Sequence, residues 1–185
     1  MSIEETPGMV KGKTRRQHLL ITLVGIIVVL VGLRIAYFHP EGGANPDRPT
    51  FKTDTLTIET QTGKTLHFQI ELAESSMQQQ YGLMFRTQMP EDQGMLFIYT
   101  PPRPVAMWMK NTLIPLDMVF VDSAGIIRYI HANARPQSLA LIRYPYSVRA
   151  VIELNGGIAE KASIQTGDRV IHSIFRNVNV PQKAP

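Results

Sequence analysis

Alternating hydrophobic and polar residues dominate the chain after residue 53 and predict a β-rich domain. Residues 55–60 and 64–72 each alternate and flank a Gln-Thr-Gly turn, which predicts a β-hairpin. In the second strand, Leu66, Phe68 and Ile70 fall on one face, and polar residues occupy the other. The folded part is therefore expected to begin near Asp54.

One segment breaks the alternation and predicts a short helix. Ser75 and Gln78 have the spacing of a capping box, in which each side chain binds a backbone N–H of the other residue. Met77, Tyr81 and Met84 then recur at i, i+4 and i+7, which is the spacing of an apolar helix face. This pattern predicts one short helix.

Six further segments read as strands, and GGIAEKASI reads as a short helix or turn. The strand segments are MLFIY, VAMWM, LDMVFVD, IIRYIHA, VRAVIEL and RVIHSIF. Seven or eight short strands with one or two short helices predict an α+β domain, mainly antiparallel. A partly closed barrel or a sandwich would bury the exposed strand edges. The strands and helices do not alternate as in a nucleotide-binding fold, and no glycine-rich phosphate loop is present.

A long hydrophobic segment near the N-terminus predicts a single transmembrane helix at residues 18–38. Residues 19–33 carry no charge, and the apolar run continues to Phe38 after Arg34. A helix of this length spans about 30 Å, the thickness of the hydrocarbon core. Basic residues precede the segment, so the positive-inside rule places residues 1–17 in the cytoplasm and the later domain in the periplasm or outside the cell. The predicted location is the inner (cytoplasmic) membrane, with the lipid bilayer as a partner.

Two alternatives to a retained anchor share the same pattern. A cleaved signal peptide also has basic residues before an apolar run, but no clear small-residue cleavage site follows Leu33. A twin-arginine signal is weakly suggested by TRRQHLL. The retained anchor is favoured, followed by a linker at 39–53, the folded domain at 54–176 and a flexible tail at 177–185.

Charge and composition exclude several classes of function. From His39 onward the chain has 14 basic and 13 acidic side chains, so the sequence pI near 9.5 comes from the N-terminal residues. Such a balanced domain is a poor nucleic-acid binder, and no nucleic-acid partner is expected. Cysteine is absent, which excludes disulfides, thiol catalysis and thiolate metal sites. No cofactor is predicted.

The segment MWMKNTLIPLD, residues 107–117, is the strongest candidate for a site. On a strand, Trp108 and Lys110 point to the same side, and the polar residues from Lys110 to Thr112 form a turn before Pro115. The structural interpretation is that these polar groups, and Asp117 with them, bind nearby backbone N–H groups. The functional interpretation is a pocket with Trp108 as a flat wall and with Lys110, Asn111 and Asp117 as ligand-binding groups.

Arg86 and Glu153 are candidates to join this pocket, although they could instead form one structural ion pair. No histidine pair has metal-ligand spacing, and neither a hydrolase nucleophile elbow nor a zinc-protease motif is present.

Six blocks of the chain resemble a known family, the domain of unknown function 192. The blocks are GLMFR, GMLFIY, MWMKNTLIPLD, VFVDSAGII, VIELNGG and IQTGDRV, and they cover roughly residues 54–175. The resemblance implies a small β-rich α+β domain, often behind an N-terminal signal or anchor, without an agreed activity. It points to Gly82, Met84, Arg86, Trp108, Met109, Lys110, Asn111, Thr112, Asp117, Glu153, Asn155 and Gly157. The expected ligand-binding set is Arg86, Trp108, Lys110, Asn111, Thr112, Asp117, Glu153 and Asn155.

Three functions remain open from the sequence. The favoured one is a membrane-tethered module that binds a small ligand or an envelope partner. A hydrolase or transferase would use Asp117 or Glu153 as its acid, with His67, His131 or His172 as a candidate base. A Cu(I) site would use the thioethers of Met107 and Met109, although methionines more often fill irregular cores.

Overall fold

Seven strands form one curved sheet in the part of the chain that the computed structural model describes, residues 48–175 and 177. The strands are β1 (Lys52–Glu59), β2 (Thr65–Ala73), β3 (Gln93–Met107), β4 (Leu116–Val121), β5 (Ile127–Ala134), β6 (Ile142–Asn155) and β7 (Arg169–Ile171). Their order across the sheet is β5-β4-β6-β3-β2-β1-β7. Neighbouring strands are antiparallel except β2 and β3, which are parallel.

The two edges of the sheet meet, so the sheet forms a partly closed barrel. An antiparallel bridge joins Ile126, just before β5, to Arg169 in β7. The Val170 N–H donates to the Gly125 carbonyl at 2.7 Å, and the Ile127 N–H donates to the Asp168 carbonyl at 2.9 Å. The prediction of a mainly antiparallel α+β domain is confirmed, and the described strands form a barrel-like sheet rather than a sandwich.

Two short α-helices and one 3-10 turn accompany the sheet within the described residues. They are α1 (Ser76–Tyr81), α2 (Ile158–Ala162) and Ser173–Phe175. Both hydrogen bonds of the predicted capping box at Ser75 and Gln78 are present. The predicted short helix is present, but no residue of α1 is buried and Met77 is 66% exposed. The helix is too short to bury a stripe, and it covers a cavity rather than the packed sheet.

Two strand predictions need correction. MLFIY and the first three residues of VAMWM belong to the single strand β3, which ends at Met107 and leaves Trp108 and Met109 outside the strand. It continues through three prolines with register shifts between Ile98 and Val105. Prolines lack an N–H donor and are tolerated at such irregularities. Only the first residues of RVIHSIF form β7, because the His172 N–H donates to the Asn177 side chain and the chain turns into the 3-10 helix.

Both faces of the central strands are buried. One face packs the core cluster that includes Leu96, Val119 and Ile152, together with α2. The opposite face packs a second cluster that holds five methionines: Met89, Met95, Met107, Met109 and Met118. Every residue of β4 is buried as a result.

The described residues begin inside the predicted linker. Arg48 forms an ion pair with Glu71, and β1 begins at Lys52, so the end of that segment is part of the domain. Residues 48–175 and 177 include no helix long and apolar enough to cross a bilayer. The predicted transmembrane segment, residues 18–38, lies outside the described residues, as do residues 1–17 and 178–185.

Candidate functional site

A cavity of about 410 Å³ lies between α1, β3 and the segment that follows β3. Its volume is within the range of small-molecule sites. We call it the α1 cavity. Three groups of residues line it, from α1 and the next turn, from β3, and from the loop after β3 together with β6. They are Ser76, Gln79, Gln80, Tyr81, Gly82, Leu83 and Met84; Phe97, Tyr99, Arg103, Pro104, Val105, Ala106 and Met107; and Trp108, Lys110, Thr112 and Glu153.

The parallel pairing of β2 and β3 is the reason that α1 covers this cavity. Parallel neighbours need a connection that returns along the sheet, and residues 74–92 make it. The Gln79 amide donates to the Ile98 carbonyl at 2.7 Å and to the Ala73 carbonyl at 3.3 Å, which ties α1 to both strands. Gly82 ends the helix at φ +52°, and a Cβ there would lie 3.1 Å from the Phe97 ring.

Trp108 and Lys110 form the rim of the cavity. Trp108 is 43% exposed, and the Lys110 Nζ lies 5.3 Å from the centre of its ring. The predicted turn is present, with Asn111 at φ +54°. A second cavity of about 540 Å³ shares Trp108, Lys110 and three residues of the α1 region with the first. The indole therefore separates two adjoining cavities and presents a flat apolar surface to ligands.

Glu153 is a buried carboxyl that reaches the α1 cavity from the central strand β6. Its backbone pairs with Met95 of β3 and Met118 of β4, and the residue is only 4% exposed. Within residues 48–175 and 177, no hydrogen-bond donor or cation compensates this carboxyl. Burial alone raises its pKa to about 8. At neutral pH the group is therefore mostly protonated and can donate a hydrogen bond into the cavity.

Tyr99 lies beside this carboxyl and extends the polar part of the cavity. Its hydroxyl donates to the Met107 Sδ at 3.3 Å, and the Arg103 guanidinium lies 5.2 Å from its ring centre. Burial raises the pKa of Tyr99, and the nearby Glu153 raises it further. The phenol of Tyr99 and the carboxyl of Glu153, both protonated, thus lie near each other at the inner end of the α1 cavity.

The structure brings together half of the predicted ligand-binding set. Trp108, Lys110, Thr112 and Glu153 line the α1 cavity. Four predicted residues do not line it and make contacts within the fold instead; they are Arg86, Asn111, Asp117 and Asn155.

Asp117 caps the loop before α2 on the other face of the sheet. Its Oδ1 accepts from the N–H groups of Asn133 at 2.8 Å and Gly157 at 3.0 Å, and its Oδ2 accepts from Ala159 at 2.8 Å. The residue is fully buried. These bonds match the structural interpretation of the sequence, in which Asp117 satisfies loop N–H groups.

Arg86, Asn155 and Asn111 also have internal partners. Arg86 pairs with Glu71 at 2.5 Å, so the suggested ion pair with Glu153 is wrong. The Asn155 amide donates to the carbonyls of Met89 at 2.8 Å and Pro90 at 3.0 Å. The backbone carbonyl of Asn111 accepts a hydrogen bond from the Phe85 N–H at 2.8 Å. These bonds hold the loops around the cavity in place.

Sequence reasoning missed several lining residues, above all Gln79, Gln80, Tyr99 and Arg103. Tyr99 had a readable signal, because it shares strand parity with Phe97 on the face that buries Met95. Arg103 lies among prolines, where no periodicity predicts its direction. The glutamines of α1 lie on a helix whose position depends on the crossover.

The histidines and acids of the described residues form no metal cluster. No group of three or more His, Asp or Glu residues there could hold a metal ion. His172 is buried and lies 3.2 Å from an Asp54 oxygen, and His67 bonds to Thr57. Met84 and Met107 line the α1 cavity, whereas Met109 is fully buried in the core. The Cu(I) hypothesis stays a prediction.

Comparison with known proteins identifies relatives over most of the described region. The model of the family DUF192, described as "Uncharacterized ACR", matches residues 57–172. A similar crystal structure comes from Sinorhizobium meliloti 1021 and is provisionally described as a transcription regulator. It is 42% identical with a TM-score of 0.67, and the match covers 68% of this chain and 98% of that one.

A second similar structure is a protein of unknown function from Novosphingobium aromaticivorans DSM 12444. It is 34% identical with a TM-score of 0.63, and the match covers 68% of this chain and 95% of that one. No curated protein matches the chain.

Proposed function

Because the chain belongs to the domain of unknown function 192 family, whose description carries no activity, we propose a function from the site itself. The domain is a small-ligand binding module, and the α1 cavity is its binding site. The observation that carries the proposal is Glu153, a carboxyl that is 96% buried, lacks a protein partner among the described residues and lines a cavity. This carboxyl is open to water only through the cavity, so a ligand there that forms a hydrogen bond with it is favoured.

The lining of the α1 cavity supports this function. Phe97, Val105 and Trp108 supply apolar surface, and Gln80 and Glu153 supply a few polar groups. Small-molecule sites commonly combine an apolar wall with a small number of oriented polar groups.

The proposal includes the membrane tether predicted from the sequence. An anchor at residues 18–38 would hold the domain on the periplasmic or outer side of the inner membrane, next to envelope ligands. Protease treatment of inner-membrane vesicles of known sidedness tests this part. Digestion of the domain from the cytoplasmic side would contradict it.

A nucleic-acid function has weaker support. The relative from Sinorhizobium meliloti is described in terms of transcription, but residues 48–175 of this chain carry 12 basic and 11 acidic side chains. Such a balance provides little attraction to phosphate backbones.

Binding can be tested with the 185-residue protein in detergent micelles. Trp108 is the single tryptophan, so its fluorescence reports directly on the rim of the cavity. A library of small organic fragments is screened by this fluorescence, and hits are repeated by ligand-observed NMR with Trp108→Phe and Glu153→Gln. Leu139→Ser, at an exposed residue outside the cavity, is the control. Fragments that bind all variants equally would contradict the assigned site.

An acid–base enzyme is the second candidate, and one observation favours it. The pKa of Glu153 is raised by burial to about 8, close to the value of an efficient general acid or base at neutral pH. Of the two predicted candidate acids, Asp117 or Glu153, Asp117 caps a loop on the other face, which leaves Glu153. Turnover that disappears in Glu153→Gln but persists in a folded Asp117 variant would support this candidate.

A further inference from the structure

Two cations line the α1 cavity without an acidic partner. Arg103 and Lys110 form no ion pair with any acid of residues 48–175 and instead lie over the rings of Tyr99 and Trp108. Both side chains are exposed, so a ligand in the cavity can reach them. The positive charges of Arg103 and Lys110 are therefore available to bind a ligand.

The connection between β2 and β3 carries Glu74, Glu91 and Asp92, but none of them lines the cavity, and Glu74 and Glu91 pair with lysines elsewhere. No Asp or Glu occurs in residues 93–116 or in residues 123–152. The second half of β3 pairs with the first half of β6, which brings Arg143 opposite Ala106, next to the cavity wall. Nearby positive charges of this kind attract anions and raise their local concentration.

The cavity contains one acid, Glu153, and it does not cancel the cations at neutral pH. Its pKa is raised to about 8 by burial, so the carboxyl is mostly neutral there. The other titratable or charged groups that line the cavity are Tyr81, Tyr99, Arg103 and Lys110. Arg103 and Lys110 outnumber the single acid, so the net charge of the lining is positive.

We infer that the α1 cavity binds a small organic carboxylate with a planar apolar body. The inference rests on the proposed binding function and names its ligand class. The carboxylate lies near Arg103 and Lys110, the planar body packs against Trp108, and Glu153 donates a hydrogen bond to the ligand. Guanidinium and ammonium groups are the usual partners of carboxylates, and a protonated carboxyl at the inner end avoids repulsion of the anion.

Benzoate and benzamide are matched probes for this inference, since they share shape and differ in charge. The 185-residue protein in detergent micelles is titrated with each, and the fluorescence and indole N–H NMR signal of Trp108 are followed. We expect benzoate to bind at least roughly tenfold more tightly than benzamide. Arg103→Gln and Lys110→Gln should each weaken benzoate by about tenfold and leave benzamide unchanged. Arg169→Gln, at an exposed arginine of β7, is the charge-matched control.

The pH dependence provides an independent readout. If only the protonated form of Glu153 accepts the anion, benzoate affinity falls by about tenfold per pH unit above the pKa of this group. Glu153→Gln should still bind benzoate but lose this dependence, because the amide donates a hydrogen bond at every pH.

Two outcomes would overturn the ligand class. Equal binding of both probes, unaffected by Arg103→Gln and Lys110→Gln, would leave a binding cavity without anion preference. Absence of any benzoate effect on Trp108, with other fragments binding in the α1 cavity, would also reject the carboxylate and keep the proposed function. Only a fragment screen without any ligand at Trp108 would remove the proposed function as well.

Discussion

Asp117 and Glu153 lie on neighbouring strands, one register position apart, yet their side chains enter opposite faces of the sheet. Asp117 of β4 pairs with Leu154 of β6, and Met118 pairs with Glu153. Because successive strand residues alternate between faces, Asp117 reaches the loop before α2 and Glu153 reaches the α1 cavity. The two acids, which the sequence placed in one expected ligand-binding set, thus have separate environments and separate consequences.

We expect Asp117→Asn to destabilise the domain strongly. The carboxylate accepts three backbone N–H groups at 2.8, 3.0 and 2.8 Å, and an amide can accept through one oxygen only. Loss of buried hydrogen bonds to a charged group should lower the free energy of unfolding by roughly 2–4 kcal/mol, measured by urea denaturation. Asp122→Asn is the control, since Asp122 caps a turn at the surface. Equal stability of Asp117→Asn and the wild type would contradict the capping role.

Because of Glu153, the free energy of unfolding of the domain should decrease as pH rises. The folded state holds the proton up to a pKa of about 8, whereas the unfolded state releases it near 4.5. The folded state therefore binds more protons between these values, and the free energy of unfolding decreases by at most about 1.4 kcal/mol per pH unit as pH rises. Urea denaturation across this pH range measures the decrease. Glu153→Gln should lack this component, so its stability relative to the wild type should rise with pH; parallel curves would disprove the assignment.

Trp108 and Met109 are adjacent in sequence but should respond very differently to truncation. Trp108 is 43% exposed at the rim, and Met109 is fully buried. We expect Trp108→Ala to cost no more than about 1 kcal/mol of unfolding free energy and Met109→Ala to cost roughly 2–5 kcal/mol. Thermal and urea unfolding, followed by circular dichroism, compare the two variants. A large loss in Trp108→Ala would show that the indole supports the core rather than a ligand.

Arg86→Gln should change stability without changing ligand binding. Arg86 pairs with Glu71 and does not line the α1 cavity. Removal of one partner from this half-buried pair should cost about 1 kcal/mol, because Arg48 still contacts the same carboxylate. Denaturation and benzoate titration are measured on the same sample. Arg103→Gln is the converse variant, in which binding should change and stability should not. If Arg86→Gln weakened benzoate binding without loss of stability, Arg86 would be a ligand-binding residue after all.

The strand pattern could be predicted well from local periodicity. The hairpin of β1 and β2, the Ser75 capping box and the buried alternation of Phe68 and Ile70 are all present. Each of these features depends on residues that are neighbours in sequence. The merger of two predicted strands into β3 was missed, because prolines normally end strands and only the pairing with β6 keeps this one continuous.

The candidate site could be predicted only in part, because it is assembled from distant segments. Trp108 and Lys110 were found because the single tryptophan of the chain lies two residues from a lysine, although both residues follow β3 and do not lie on it. Asp117 and Glu153 were grouped together because the sequence shows no strand partners, and a shift of one register position separates their faces. Tyr99 and Arg103 join the site through the curvature of β3 and the position of α1, which no local pattern encodes.

The crossover between the parallel strands β2 and β3 supplies seven of the eighteen residues that line the α1 cavity. It contributes little to the sheet, whose pairing is complete without it. Changes in the length or composition of this one connection could therefore alter ligand preference while the barrel stays intact. A designed change of ligand preference would then exchange a surface segment and retain the buried acid of β6.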